Sequence, residues 1–214
     1  TGHCQGVDCL ISEKPESIDD FGSPITVLNN YGAYPRPFQN REGRIGVVMR
    51  YNSLNETISF SDEGERTWGS PVNFVDFGAG KNIYGALYQE LDDLNRLHYA
   101  CIYWDTKLKD RFGLWYMQSV DGGISWQKID GTPITLPASQ DQMDLVWNIK
   151  TVRLLDIVAD EKSHVPHILV AQPIHRDKPH QIRRIKHENG IWIREQITNS
   201  KCFFYNPITA PDVN

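Results

Sequence analysis

The 214-residue sequence has few cysteines, few methionines, no excess of positive charge and no long apolar run. Its four cysteines, Cys4, Cys9, Cys101 and Cys202, show no zinc-ribbon spacing and are too few for a disulfide scaffold. A Cys4–Cys9 bridge would close only a short loop, and buried thiols are the plainer reading. No stretch approaches the ~20 apolar residues that a spanning helix needs. A net charge of -5 argues against nucleic acid or an anionic membrane as the main partner. Thr1-Gly-His-Cys4 is neither a start methionine nor a signal peptide. Also missing is any apolar stripe at i, i+3, i+4, i+7 sustained over three helical turns.

What is present favours strands and turns. Aromatic residues make up 11% of the chain, with 16 glycines and 12 prolines, while 40% hydrophobic and 23% charged residues exclude wholesale disorder. Short β-rich runs recur between polar turns. Tyr34–Gln39, Ile45–Tyr51, Glu56–Phe60 and Pro71–Val75 form one set of four. Tyr84–Gln89, Leu97–Trp104, Gly113–Ser119 and Trp126–Ile129 form a second. Val152–Val158, Pro166–Ala171, Gln181–Lys186 and Ile191–Ile197 form a third, the last two joined by the hairpin signal Asn189-Gly190.

Four-strand units of about 40 to 50 residues that bury their faces on one another are propeller blades. The expected fold is therefore all-β, a β-propeller of four-stranded antiparallel blades, with about three and a half blades present. Approximate blade boundaries are 1–29 (partial), 30–78, 79–140, 141–199 and 200–214, the last only the start of a blade at Cys202–Tyr205. The order starts and stops inside blades, so the chain is expected to be a fragment. Uncovered blade faces would then favour self-association.

Ser119-Val-Asp-Gly-Gly-Ile-Ser-Trp126 matches Ser-x-Asp-x-Gly-x-Ser/Thr-Trp. The Asp carboxylate can accept backbone N–H groups of its own turn, the glycine permits positive φ, and the Trp packs between strands. Ser61-Asp-Glu-Gly-Glu-Arg-Thr-Trp68 is a degenerate copy, and 58 residues separate the two tryptophans. The motif is the Asp box of BNR-repeat propellers, and it identifies an architecture rather than a reaction.

The wider order of motifs is Ser12–Ile18, Ala33-Tyr34-Pro35, Glu42-Gly-Arg44, Met49-Arg50, Ile83-Tyr84-Gly85, Asn95–His98 and Asp130–Pro137. It resembles the BNR-repeat propellers that include ulvan lyases and rhamnose–glucuronate lyases. The resemblance implies β-elimination on a uronate-containing polysaccharide, in which a cation neutralises the C5 carboxylate, a base removes the C5 proton and an acid protonates O4. In that family a tyrosine opens an inner strand and an arginine ends the next, with catalytic histidines on earlier blades. Tyr34 and Arg50, 16 residues apart, match the first two roles. Cationic neighbours are expected to lower the Tyr34 pKa. Tyr84, Trp104 and Arg36 are candidate substrate-binding residues. The partner implied is a polysaccharide or oligosaccharide, and the setting implied is extracellular or periplasmic. No cofactor is assigned.

Each candidate also has a plain structural reading. Tyr34 precedes a proline and could simply fix an extended strand start. Arg50 could sit in a surface salt bridge, and Trp104 in a core. His98 shares a strand face with Ala100 and Ile102, which suits a satisfied, half-buried histidine, and Cys101 points to the other face, so the two are poor joint metal ligands. His175, His180 and His187 lie in or near a basic connection read as solvated. Gly78-Ala-Gly-Lys81 ends like a phosphate loop but lacks its first glycine and its Ser/Thr. Two other functions stay open. One is a non-catalytic module binding glycan or protein, and the other is a sialidase-like hydrolase, whose Arg-Ile-Pro signature is absent here.

Overall fold

A computed structural model describes residues 6–15, 17–29, 31–52, 55–160, 162–173 and 180–199. Among these there is no helix. A short antiparallel pair comes first, β1 (Val7–Cys9) with β2 (Ile25–Leu28). A four-stranded sheet follows in sequence order, β3 (Gly32–Gln39), β4 (Ile45–Tyr51), β5 (Asn55–Ser61) and β6 (Val72–Val75). The next sheet runs β7 (Lys81–Gln89), β8 (Leu97–Asp105), β9 (Asp110–Ser119), β10 (Trp126–Gln127) and β11 (Pro133–Ile134). Its β9 also pairs with β12 (Asp144–Lys150). The last sheet is β13 (Arg153–Asp160), β14 (Val165–Pro173), β15 (His180–Glu188) and β16 (Ile191–Asn199). These are antiparallel propeller blades in an open array.

Burial explains the near-continuous apolar strands. In β8, Leu97, Tyr99 and Cys101 enter one core, while Ala100 and Ile102 enter another. A strand covered on both faces can be apolar at every position, unlike one with a wet face. The first of these cores joins Phe38, Val48, Ile58 and Phe74 of the β3–β6 sheet to Tyr99, Met117 and Trp126 of the next. The second joins β8 and β9 to Ile157, Ile168 and Ile185 of the last sheet. A third packs Val27 and Leu28 on Val47 and Met49. Three cores thus cement four sheets face to face.

Two strands differ from the sequence expectation. The Trp126 strand ends at Gln127, because the chain then turns at Gly131 (φ +88°) and pairs back through β11. Strand β12 is not announced by periodicity. Its alternation is broken by register shifts at Leu145–Trp147 and Trp147–Lys150, and it takes the stretch of β9 edge that β10 leaves free. Beyond β11, the Ala138 backbone exchanges hydrogen bonds with Phe74 and Asp76, tying one sheet to its predecessor.

The Asp box has the predicted chemistry. Asp121 Oδ1 accepts from the Ile124 and Ser125 N–H groups at 3.1 and 2.9 Å, and Trp126 Nε1 donates to the Gly123 carbonyl at 3.1 Å. In the degenerate copy, Thr67 Oγ1 donates to Glu63 and the Glu65 N–H donates to Ser61 Oγ, both at 2.9 Å. Glu65 adopts φ +70° where the full box has Gly123 at +86°. Trp126 packs on Phe74 of the preceding sheet, and Trp68 packs against the core containing Val27 and Leu28 of the sheet before its own.

Candidate functional site

Strand direction gathers the candidate residues. Tyr34 and Arg36 lie near the start of β3, Arg50 near the end of β4, Tyr84 in the first half of β7, and Trp104 near the end of β8. Antiparallel pairing puts all five at the same end of their sheets, and the registers Ala33↔Arg50, Asn82↔Trp104 and Trp104↔Arg111 carry the set across to β9. Arg153 opens β13 at that end too.

Tyr34 is not in an extended conformation. Its φ is +56°, and the register slips between Ala33 and Arg36, so a bulge at Tyr34-Pro35 re-aims the side chain. Bulges and left-handed non-glycine residues of this kind concentrate at functional sites. The re-aimed ring meets Arg50, whose guanidinium carbon lies 4.7 Å from the Tyr34 centroid and 4.9 Å from that of Tyr84. The stack continues, with Arg111 5.2 Å from Tyr84 and 5.3 Å from Trp104. Cations and aromatic faces therefore alternate from Tyr34 to Trp104, each contact favourable through the ring quadrupole. Arg50 is only 4% exposed, so the surface salt-bridge reading does not hold.

Glu56 anchors the stack from below. Fully buried, it accepts from Arg36 Nη1 at 2.9 Å, Tyr99 Oη at 2.9 Å and the Gly85 N–H at 3.1 Å. Three donors satisfy a carboxylate that burial would otherwise heavily penalise. They also fix Arg36 and the backbone beside Tyr84. A cleft of about 330 Å³ opens here, its wall including Tyr34, Arg36, Tyr84, Arg111, Arg153 and Asp156. Neither Arg50 nor Trp104 is on this wall: Arg50 lies behind it against Tyr34 and Tyr84, and Trp104 backs Arg111.

Electrostatics differ from the sequence expectation at Tyr34. Burial raises the phenol pKa above its ordinary value, and the opposing pull of Arg50 is smaller. Arg111 is held down to about 10, first by burial and then by the nearby charge of Arg153. Burial also lowers Arg153.

A second polar cluster sits at the opposite strand ends. His98, fully buried, places Nε2 2.8 Å from Glu90 Oε1 and Nδ1 2.7 Å from Tyr116 Oη. His164, in the turn before β14, reaches Glu90 Oε2 at 2.8 Å. His98 is thus a satisfied core histidine, more buried than its strand pattern suggests. His180 opens β15 and is buried, not solvated, with its pKa lowered by burial and by Arg153. Cys101 is a buried thiol and Cys9 is unbridged, whereas Cys4, Cys202 and His175 lie outside the described residues. No group of three His, Cys, Asp or Glu among the described residues could hold a metal ion.

Sequence reasoning missed Glu56, Arg111 and Arg153. Glu56 is an acid opening an apolar strand and Arg111 a cation opening an aromatic one, signals that become distinctive only when neighbouring sheets are superposed.

The sequence profile of the BNR repeat-containing family matches residues 1–200. The chain belongs to that family. Similar solved structures include an ulvan lyase, with a TM-score of 0.76 and 15% identity over 90% of this chain and 50% of that one. Another is an ulvan lyase bound to -[GlcA(1-4)Rha3S]-, with a TM-score of 0.74 and 16% identity over 88% and 48%. A further polysaccharide lyase aligns at 0.59 with 19% identity over 85% and 46%. At such identities the likeness is one of fold. This BNR-repeat chain spans about half the length of those lyases. Curated protein sequences yield no match. No helix among the described residues is long and apolar enough to cross a membrane.

Proposed function

We propose that this protein is a polysaccharide lyase that cleaves a uronate-containing glycan by β-elimination. The observation carrying the reading is the stack behind the cleft wall, where the buried Arg50 meets the rings of both Tyr34 and Tyr84, which stand on that wall. In the reaction the C5–H bond breaks, its electron pair forms the C4=C5 double bond, and the C4–O bond breaks. The departing oxygen then takes a proton. Arg50 supplies the charge that stabilises the carboxylate as negative charge builds at C5, a role suited to a planar guanidinium. Tyr34 supplies the proton to O4. Its raised pKa keeps the phenol protonated at neutral pH, which fits an acid and not a resting base. Removal of the C5 proton falls to a base, and the family resemblance places catalytic histidines on earlier blades. Tyr84 and Arg36 contact the sugar from the cleft wall, and Trp104 acts by supporting Arg111.

The fold it shares with an ulvan lyase bound to -[GlcA(1-4)Rha3S]- supports the choice of a uronate substrate. Polymers of this kind are met outside the cytoplasm, so the protein is assigned to the extracellular or periplasmic space. The test uses purified protein and glucuronate-containing oligosaccharides, with the unsaturated product read by ultraviolet absorbance. Arg50→Ala and Tyr34→Phe should each lower the rate at least ~100-fold, as loss of a charge-stabilising donor typically does, without loss of fold. Both variants retaining the parent rate would sink the lyase reading. Binding without product in the parent protein would instead favour a non-catalytic glycan module, a reading supported by the depth at which Arg50 is buried.

A further inference from the structure

The backbone of Thr151, which joins β12 to β13, is left-handed at φ +55°. Its branched Cβ crowds the chain there, and glycine or asparagine is the usual occupant of such a position. A conformation of this kind persists only where its surroundings over-determine it. Both neighbours are fixed here, Lys150 by its pairing with Phe112 of β9 and Val152 by full burial in the second core.

Three short hydrogen bonds clasp the turn to the start of β9. The Thr151 N–H donates to the Arg111 carbonyl at 2.7 Å, and the Thr151 hydroxyl donates to Asp110 Oδ2 at 2.6 Å. Asp110 Oδ1 accepts the Arg111 N–H at 2.7 Å. Both oxygens of Asp110 are thus taken by a hydroxyl and a backbone group, although its charge acts on both Arg111 and Arg153.

That arrangement spares Arg111. Its guanidinium stands on the cleft wall against the faces of Tyr84 and Trp104, and its Nη2 is buried with no hydrogen-bond partner. A carboxylate swung onto it would make a forked, charge-assisted contact and occupy the cation that the cleft presents. Other charges of the wall are held differently. Asp156 Oδ1 accepts the Ile157 N–H at 2.8 Å within its own strand, Arg36 is paired with Glu56, and Arg153 has contacts of its own. Asp110 is the acid next to Arg111 in the chain, and the Thr151 hydroxyl is what turns it away.

We propose that Thr151 is a positioning residue, which keeps Asp110 turned onto the hydroxyl and the backbone and so leaves the Arg111 guanidinium open to an anionic ligand. Its effect on ligand rests on the reading of this cleft as a uronate-glycan site, whereas its hold on Asp110 and Arg111 is observable without ligand. The left-handed turn is the means, because it brings the hydroxyl and the N–H of one residue onto Asp110 and Arg111 together.

The experiment compares Thr151→Val, which keeps the branched shape and loses the hydroxyl, with Thr151→Ser, which keeps the hydroxyl. In the free protein, the Nε–H resonance of Arg111 should move in Thr151→Val and stay in place in Thr151→Ser. Calorimetry with a glucuronate-containing oligosaccharide should show affinity at least ~10-fold weaker for Thr151→Val, the scale of one lost charge-assisted contact, and near the parent value for Thr151→Ser. Adding Asp110→Asn to Thr151→Val should recover the affinity, because the amide still accepts the Arg111 N–H but no longer competes for the guanidinium. A residue that merely stabilised the turn would lower the melting temperature in Thr151→Val and leave the Arg111 resonance and the affinity unchanged. That result, or no recovery on adding Asp110→Asn, would overturn the assignment. The lyase reading fails separately. Binding that follows this pattern without unsaturated product removes the lyase and keeps Thr151, whereas product formed by Thr151→Val at the parent rate and affinity does the reverse. If the parent does not bind the oligosaccharide, the uronate reading falls and the Arg111 resonance alone decides for or against Thr151.

Discussion

Glu56 and Glu90 are carboxylates with no solvent exposure, and they organise opposite ends of the same sheets. At Glu90 the partners are His98, His164 and, at 3.9 Å, Arg96. With His98 Nε2 donating to Glu90, Nδ1 is left to accept from Tyr116, which requires the neutral ring. Burial agrees, holding the His98 pKa below its ordinary value against the pull of Glu90. The sign of the pH dependence follows. The unfolded chain binds the proton more readily, so stability is full above the ordinary histidine value and declines as pH falls below it toward the folded pKa. Thermal unfolding followed from pH 8 to pH 5 should show this decline, and His98→Gln should flatten it. His167 and His180 are lowered as well, so a residual slope is expected, but an unchanged slope would remove His98 from the account.

At the scale of elements, the two Asp boxes show one turn built with different quality. Asp121 gathers two backbone N–H groups and the Ser119 hydroxyl, and its pKa is lowered because these bonds, with that from Ser125, outweigh the effect of burial. Glu63 has the extra methylene and meets only the Thr67 hydroxyl among the described contacts. Asp121→Ala should therefore cost about 1–3 kcal/mol in chemical denaturation, and Glu63→Ala less than about 1 kcal/mol. Equal losses would mean that the carboxylate bonds are not what stabilises the turn. The bulge at Tyr34-Pro35 is the other element of consequence. A proline cannot donate to the ladder, and the displaced register turns Tyr34 onto Arg50.

For the whole molecule, coupling between sheets decides stability. Trp126 lies 4.8 Å from Phe74 and 6.4 Å from Tyr99 between ring centroids, at the seam of two sheets, and the Ala138 backbone is hydrogen-bonded across the same seam. Trp126→Ala should cost about 3–5 kcal/mol, typical of a large aromatic removed from a core. Because the contact is shared, hydrogen exchange should accelerate together at Val48 and Ile58 of the one sheet and Tyr99 and Met117 of the other. Faster exchange confined to the sheet that carries Trp126 would show that the blades open independently.

The all-β class, the four-strand units, the Asp-box turns and the Asn189-Gly190 hairpin were all determined by local sequence. Each depends on residues adjacent in the chain, and at Asn189 and Gly190 the backbone takes the positive φ, +50° and +80°, that such a hairpin requires. That Tyr34, Arg50 and Tyr84 meet at one end of their sheets was legible too, because strand ends follow from the turn positions. Other features were decided only by tertiary structure. Arg111 beside Tyr84, Glu56 under Arg36, and Glu90 reaching His164 across 74 residues of chain arise where separate strands and sheets meet. The upward shift of Tyr34 belongs here as well. Sequence shows which cations are near a phenol, but how much water the stacked sheets exclude from it decides which influence wins.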